Sequence, residues 1–169
     1  MTRAWLLAML SLAMLSLAMI LPPSASAAPE LAPKAEQADA IRVFKSTRRM
    51  ELLRDGKVLR SYRIALGDAP VGRKRQQGDE RTPEGDYRIT YRNAQSRFHL
   101  SLRVSYPNQA DREQARKRGV DPGGDIMLHG STPPGSTGDW TDGCIAVTNA
   151  QIEEIWRLVP VGTPIRINP

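Results

Sequence analysis

The stretch Asp125-Ile-Met-Leu-His129-Gly-Ser-Thr-Pro-Pro-Gly-Ser-Thr-Gly-Asp-Trp140-Thr-Asp-Gly-Cys144-Ile-Ala-Val-Thr-Asn149 holds two apolar runs of strand length, Ile126–Leu128 and Ile145–Val147. His129 closes the first run, and Cys144 opens the second. Cys144 is the only cysteine in the chain, and His129 is one of two histidines. The residues between them are rich in Gly, Pro, Ser and Thr, which marks a loop. Two short strands joined by a loop can stand side by side and bring a thiol to an imidazole. That pairing suits nucleophilic catalysis, because the thiolate attacks and the imidazole takes the thiol proton. A backbone carbonyl near Gly130 or Ser131 is the candidate for orienting the ring. Gly143 has no Cβ, so the chain there can bend sharply and approach a substrate closely. The amides of Asp142, Gly143 and Cys144 are candidates for an oxyanion hole, with Gly130 and Ser131 on the cleft wall. Taken singly, a lone cysteine is more often a small buried hydrophobe, and a lone histidine a core residue. Their placement at the two ends of one loop is what favours chemistry.

Downstream, Thr148 and Gln151 form a capping box. Ile152, Ile155, Trp156 and Val159 follow at helical spacing, so one face of this helix is core. Pro160 and Gly162 stop it, and Ile165 and Ile167 alternate in a last strand. Upstream, Leu100, Leu102 and Val104 alternate in a strand that Pro107 ends. Asn108–Arg118 is charged and helix-permissive with Gly119 after it, a surface helix. Asp86–Tyr91 is a strand after the turn Thr82-Pro83-Glu84-Gly85. Asp55-Gly56 makes the type I′ turn of a hairpin, with Val58, Tyr62, Ile64 and Leu66 expected on one face of its return strand. Ile41–Phe44 reads as the first strand, and Gly67–Arg81 as a loop. His99 reads as structural or exposed. Strands dominate and no βαβ alternation appears. The expected class is mainly β: a β-sandwich or partly closed barrel with two short peripheral helices.

The N-terminus reads differently from the rest. Arg3 is the only charge in the first 28 residues. Trp5–Leu21 is almost unbroken apolar sequence, and Ala25-Ser26-Ala27 is an A-x-A cleavage site. Residues 1–28 are therefore expected to be a signal peptide. Retention of that run as an anchor is the alternative. Residues 29–40, rich in Ala, Pro and charge, read as a flexible linker, and 41–169 as the working domain. A protein exported across the inner membrane would act in the periplasm or cell envelope, with no stable membrane anchor after cleavage. One cysteine cannot form an internal disulfide there, which points to a reactive thiol or an intermolecular bond. The net charge is +6. The arginines are dispersed, aromatics are sparse and no nucleic-acid motif accompanies them, so no nucleic-acid partner is expected. A few arginines could meet substrate carboxylates.

His129-Gly130 followed by Thr141-Asp142-Gly143-Cys144-Ile145 resembles the signature of the bacterial L,D-transpeptidase catalytic domain. The segment Gly78-Asp79-Glu80-Arg81-Thr82-Pro83-Glu84-Gly85-Asp86-Tyr87 resembles the second motif of that family, and the likeness runs from about Ile41 to Asn168. Many members carry histidine where Asp142 stands, and a polar residue where Ala146 stands. The resemblance implies that Cys144 attacks the third residue of a peptidoglycan stem peptide, usually meso-diaminopimelate. D-Alanine then leaves, protonated by His129. An amine of a neighbouring stem would take the acyl group and form a crosslink. Water as acceptor would make a carboxypeptidase, or an amidase releasing wall-linked lipoprotein, and a lysine of an envelope lipoprotein could also accept. Thr141, Trp140 and Arg81 are candidate substrate contacts. No cofactor is expected. A non-catalytic wall-binding module would require neither Cys144 nor His129. A metal site of His129, Cys144 and Asp142 lacks further suitably spaced ligands.

Overall fold

The computed structural model describes residues 28–169. The expected signal peptide lies, but for Ala28, outside the described residues. Eight strands form one sheet: β1 (Ala40–Phe44), β2 (Arg49–Arg54), β3 (Lys57–Arg63), β4 (Gly85–Ser96), β5 (His99–Val104), β6 (Met127–His129), β7 (Ile145–Ala146) and β8 (Pro164–Asn168). Their order is β3-β2-β1-β8-β4-β5-β6-β7. Two α-helices accompany them, α1 (Gln109–Arg118) and α2 (Asn149–Leu158), with a short 3-10 helix at Lys34–Glu36.

Inside the sheet lies the parallel pair β1–β8, with Ile41 opposite Ile165 and Val43 opposite Ile167. All four are buried, as period-2 alternation requires of a strand with one face on the core. The long strand β4 bends the sheet. Its first residues pair with β8 and its later residues with β5, with a register shift between Ile89 and Tyr91. Such an irregularity increases local twist and curls the sheet. The curl brings the far ends together: Ala65, just beyond β3, exchanges two backbone hydrogen bonds with Ala146 of β7, at 2.8 and 2.9 Å. The result is a partly closed barrel built from one sheet.

The first hairpin turns through Asp55 and Gly56 at φ 50° and 74°, as a type I′ turn demands. One expectation fails within it. Val58 is 50% exposed while Tyr62 is buried. Leu53 pairs with Val58 but Leu52 pairs with Arg60, so Leu59 is an extra residue. An extra residue reverses the facing of everything beyond it.

Both helices begin with reciprocal caps, Thr148 with Gln151 in α2 and Asn108 with Asp111 in α1. α2 buries Ile152, Ile155 and Trp156 on the sheet, with Val159 just past its end. α1 buries only Asp111 and Ala115. Asp111 also accepts the Tyr87 hydroxyl at 2.9 Å, which moors this surface helix. The segment 29–40, read from sequence as a flexible linker, lies against the end of α2. Ala32 and Ala38 donate to the carbonyls of Arg157 and Leu158, both at 2.8 Å, and both alanines are buried. No helix among the described residues is long and apolar enough to cross a membrane.

Candidate active site

β6 and β7 pair in parallel, with Leu128 beside Ile145 and His129 beside Ala146. Leu128 and Ile145 are fully buried in the core. Residues on either side of them point to the opposite face. Cys144 and Met127 therefore share that face with His129, and all three line one cavity of about 420 Å³. Adjacent parallel strands need a crossover, and here it is the loop 130–144. That loop is tied down along its length. Thr132 donates to the Val147 carbonyl at 3.0 Å, and Trp140 and Thr141 donate to the Leu66 carbonyl at 3.1 and 3.0 Å. The Asp139 carboxylate accepts the Leu66 amide at 2.9 Å and pairs with Arg48 at 2.6 Å.

His129 is buried, and its Nδ1 lies 2.7 Å from the Gly130 carbonyl. A carbonyl can only accept, so Nδ1 carries the proton and Nε2 is left with its lone pair. Phe98 stacks on the imidazole at 4.4 Å, and Trp140 meets it edge-on at 5.6 Å. The Trp140 indole in turn donates to the Thr132 hydroxyl at 3.3 Å. Gly130 is required where it stands. A Cβ there would come within 2.7 Å of the Asn149 side chain and 2.9 Å of Ile152. Asn149 also accepts the Ser131 amide at 2.8 Å, so that amide is already spent.

Cys144 Sγ accepts from the Met127 amide at 3.4 Å and lies 3.7 Å from the Asp125 carbonyl. Burial pushes the thiol above its ordinary range. The Met127 amide opposes the rise, Asp142 and Asp125 add to it, and Lys74 works against it. Burial also holds His129 below its ordinary range, against the pull of the Gly130 carbonyl and with a smaller contribution from Arg97. The resting pair is therefore a neutral thiol and a neutral imidazole.

Gly143 adopts φ 120°, and a Cβ there would meet the Arg81 carbonyl at 2.7 Å. The bend turns the loop as the sequence suggests, but it leaves the three amides unequal. Gly143 donates to the Thr141 hydroxyl at 3.2 Å. The amides of Asp142 and Cys144 have no hydrogen-bond partner among the described residues. Thr141 is buried, and its hydroxyl donates to the Cys144 carbonyl at 2.8 Å, bracing the loop from within. Arg81 does not line the cavity. Its carbonyl packs behind Gly143, and its guanidinium reaches toward Gly72. The segment 67–84 backs the site through Gly67, Arg81 and Thr82. Lys45, buried, holds it with hydrogen bonds to the Gly72 and Thr82 carbonyls and to Glu84, at 2.6, 2.9 and 2.8 Å. Asp142 is exposed on the cavity rim and pairs with no arginine among the described residues.

Sequence reasoning missed Phe98, Arg97 and Asp125, all of which line the cavity. Only the turn between β4 and β5 signals the first two, and nothing in that turn marks a site. The second histidine, His99, points elsewhere and pairs with Glu153 at 2.6 Å. Among the described residues no group of three or more His, Cys, Asp or Glu side chains is arranged to hold a metal ion.

The family model of the YkuD L,D-transpeptidase catalytic domain matches residues 38–167. YafK of Escherichia coli (strain K12), named as a candidate L,D-transpeptidase, is 30% identical over 166 residues, which is 92% of this chain and 63% of that protein. YqjB of Bacillus subtilis (strain 168), named in the same way, is 26% identical over 130 residues, covering 74% of this chain and 68% of that one. Among solved structures, the helical cell shape determining protein Pgp2 of Campylobacter jejuni superposes with a TM-score of 0.59 at 23% identity, over 78% of this chain and 49% of that one. An L,D-transpeptidase fragment from Xylanimonas cellulosilytica gives a TM-score of 0.54 at 18% identity, over 80% of this chain and 63% of that one. These two structures share the fold. The chain spans about three fifths of the length of YafK.

Proposed function

The chain belongs to the L,D-transpeptidase catalytic domain family, and from that premise we propose that it transfers acyl groups of peptidoglycan stem peptides through a thioester on Cys144. One observation carries the reading: Cys144 and His129 share one face of a parallel strand pair on one cavity, and the Gly130 carbonyl leaves Nε2 free. In the proposed reaction the Cys144 thiol gives its proton to Nε2 as Sγ adds to the scissile carbonyl. The two unspent amides, of Asp142 and Cys144, receive the developing oxyanion. Collapse breaks the C–N bond, and the imidazolium returns the proton to the departing amine. The general base then accepts a proton from the incoming acceptor, and the thioester is resolved. An amine acceptor gives a crosslink or an attached lipoprotein. Water gives carboxypeptidase or amidase products. The proposed setting is the cell envelope.

Incubation with peptidoglycan, followed by mass spectrometry of the muropeptides, separates these products in one measurement. A thioester adduct on the intact protein is expected, and Cys144→Ala abolishes it in a folded domain. His129→Ala is expected to lower the rate by about 10²–10⁴-fold, the usual contribution of a general base. Turnover retained by folded Cys144→Ala would overturn the nucleophile.

A further inference from the structure

Arg97 stands at the tip of the β4–β5 hairpin and lines the cavity of Cys144 and His129. Its guanidinium lies over the Phe98 ring at 4.8 Å. That ring stacks on the His129 imidazole at 4.4 Å. Two other arginines near the site are answered by acids: Arg48 pairs with Asp139, and Arg103 with Asp125 at 3.1 Å. Arg97 pairs with no carboxylate among the described residues. An exposed arginine in open water needs no partner, but this one opens into a concave, largely apolar site. Stacking on an aromatic ring holds its planar fork in place, so less side-chain entropy is lost when an anion binds. The two cavity carboxylates, Asp125 and Asp142, belong instead to the segments around Cys144.

We infer that Arg97 is a specificity-determining residue that binds the free α-carboxylate of the residue that leaves. The inference rests on the acyl-transfer reading above. In that reaction the S–C bond forms, the C–N bond breaks, and the departing amine takes the proton that His129 accepted from the thiol. A C-terminal amino acid carries its carboxylate on the carbon next to that amine. Phe98 covers one face of His129 and carries Arg97, so in this proposal the carboxylate beside an amine at His129 is the group that meets the guanidinium. The guanidinium fork matches its two oxygens. A bond inside a longer chain presents a neutral amide at the same place and leaves the fork unanswered. Arg97 therefore favours removal of the last residue of a stem over a cut within a chain.

Two peptides that differ in one group test this. One is a stem tetrapeptide ending in D-alanine as the free acid. The other is the same peptide ending in the carboxamide. Acylation of Cys144 and amine release are measured for the parent, Arg97→Ala and Arg97→Lys, with folding checked by circular dichroism. The parent is expected to favour the acid by about 10- to 100-fold in kcat/KM, expressed mainly in KM, as one charge-assisted contact provides. Arg97→Ala brings the ratio to about one, and Arg97→Lys restores part of it. A parent that treats both peptides alike, or an Arg97→Ala that keeps the preference, overturns the assignment. A parent in which neither peptide acylates Cys144 overturns the acyl-transfer reading, and this inference with it.

Discussion

Cys144 and His129 begin neutral for one main reason: His129 is buried and Cys144 half-buried, and burial disfavours whichever form is charged. The thiol is pushed up and the imidazole down. In the proposed reaction, charge separation waits for substrate. Two consequences in pH follow. His129 stays neutral below the ordinary imidazole value of 6.5, so acylation should persist into mildly acidic solution and fall only as pH drops through the depressed value. Asp142 is one cause of the raised thiol pKa. Asp142→Asn removes that charge, so iodoacetamide labelling of Cys144 should shift to lower pH, and an unmoved labelling profile would refute a charge effect at the rim. We also propose that the Asp142 carboxylate attracts a cationic amine acceptor. Muropeptide product ratios compared between the parent and the same variant check that, with equal ratios leaving Asp142 a loop residue.

At the scale of elements, α2 links core and site. Its capping box and apolar face are written in the local sequence, and the structure places both where the spacing predicts. Spacing does not say what the face covers. Ile152 is fully buried and stands where a Cβ on Gly130 would be, so the helix sets the backbone whose carbonyl orients His129. Ile152→Ala should destabilise the domain by about 2–5 kcal/mol, as a large-to-small core change does. It should also lower kcat/KM by loosening Gly130. Chemical denaturation alongside kinetics checks both, and a stability loss with unchanged kcat/KM would separate the helix from the site. The β2–β3 hairpin shows the opposite case. Its turn was legible, but its bulge was not, because an extra residue leaves no mark on an alternating pattern that it merely shifts.

The two ends of the sheet meet at two bridges that local spacing does not mark, Ala65 with Ala146 and Gly67 with Thr141. Ala65 and Ala146 exchange two backbone hydrogen bonds there, and Ala146 stands two residues after Cys144. Closure therefore fixes Cys144 from the side of the first hairpin, while β6 fixes it from the other. If the bridge belongs to the cooperative core, the amides of Ala65 and Ala146 should exchange with solvent as slowly as those of β1 and β8. Fast exchange at both would show a sheet that opens at this seam. The seam also explains the Arg48–Asp139 pair, which clamps the long loop 130–144 to the same edge.

The sequence by itself determined the family, the strand and helix inventory and both helix boundaries to within a residue or two, and it singled out Cys144 and His129, which the fold brings to one cavity. Each of these rests on residue type and short-range spacing, which the local chain carries. Tertiary structure alone decided that the sheet is single and curled, that one of the three loop amides is spent on Thr141, and that Arg81 braces Gly143 from behind. It also set Phe98 and Arg97 beside His129. These facts depend on contacts between residues far apart in the chain. Local spacing cannot encode them, because burial and partner distance arise only when the sheet bends and closes.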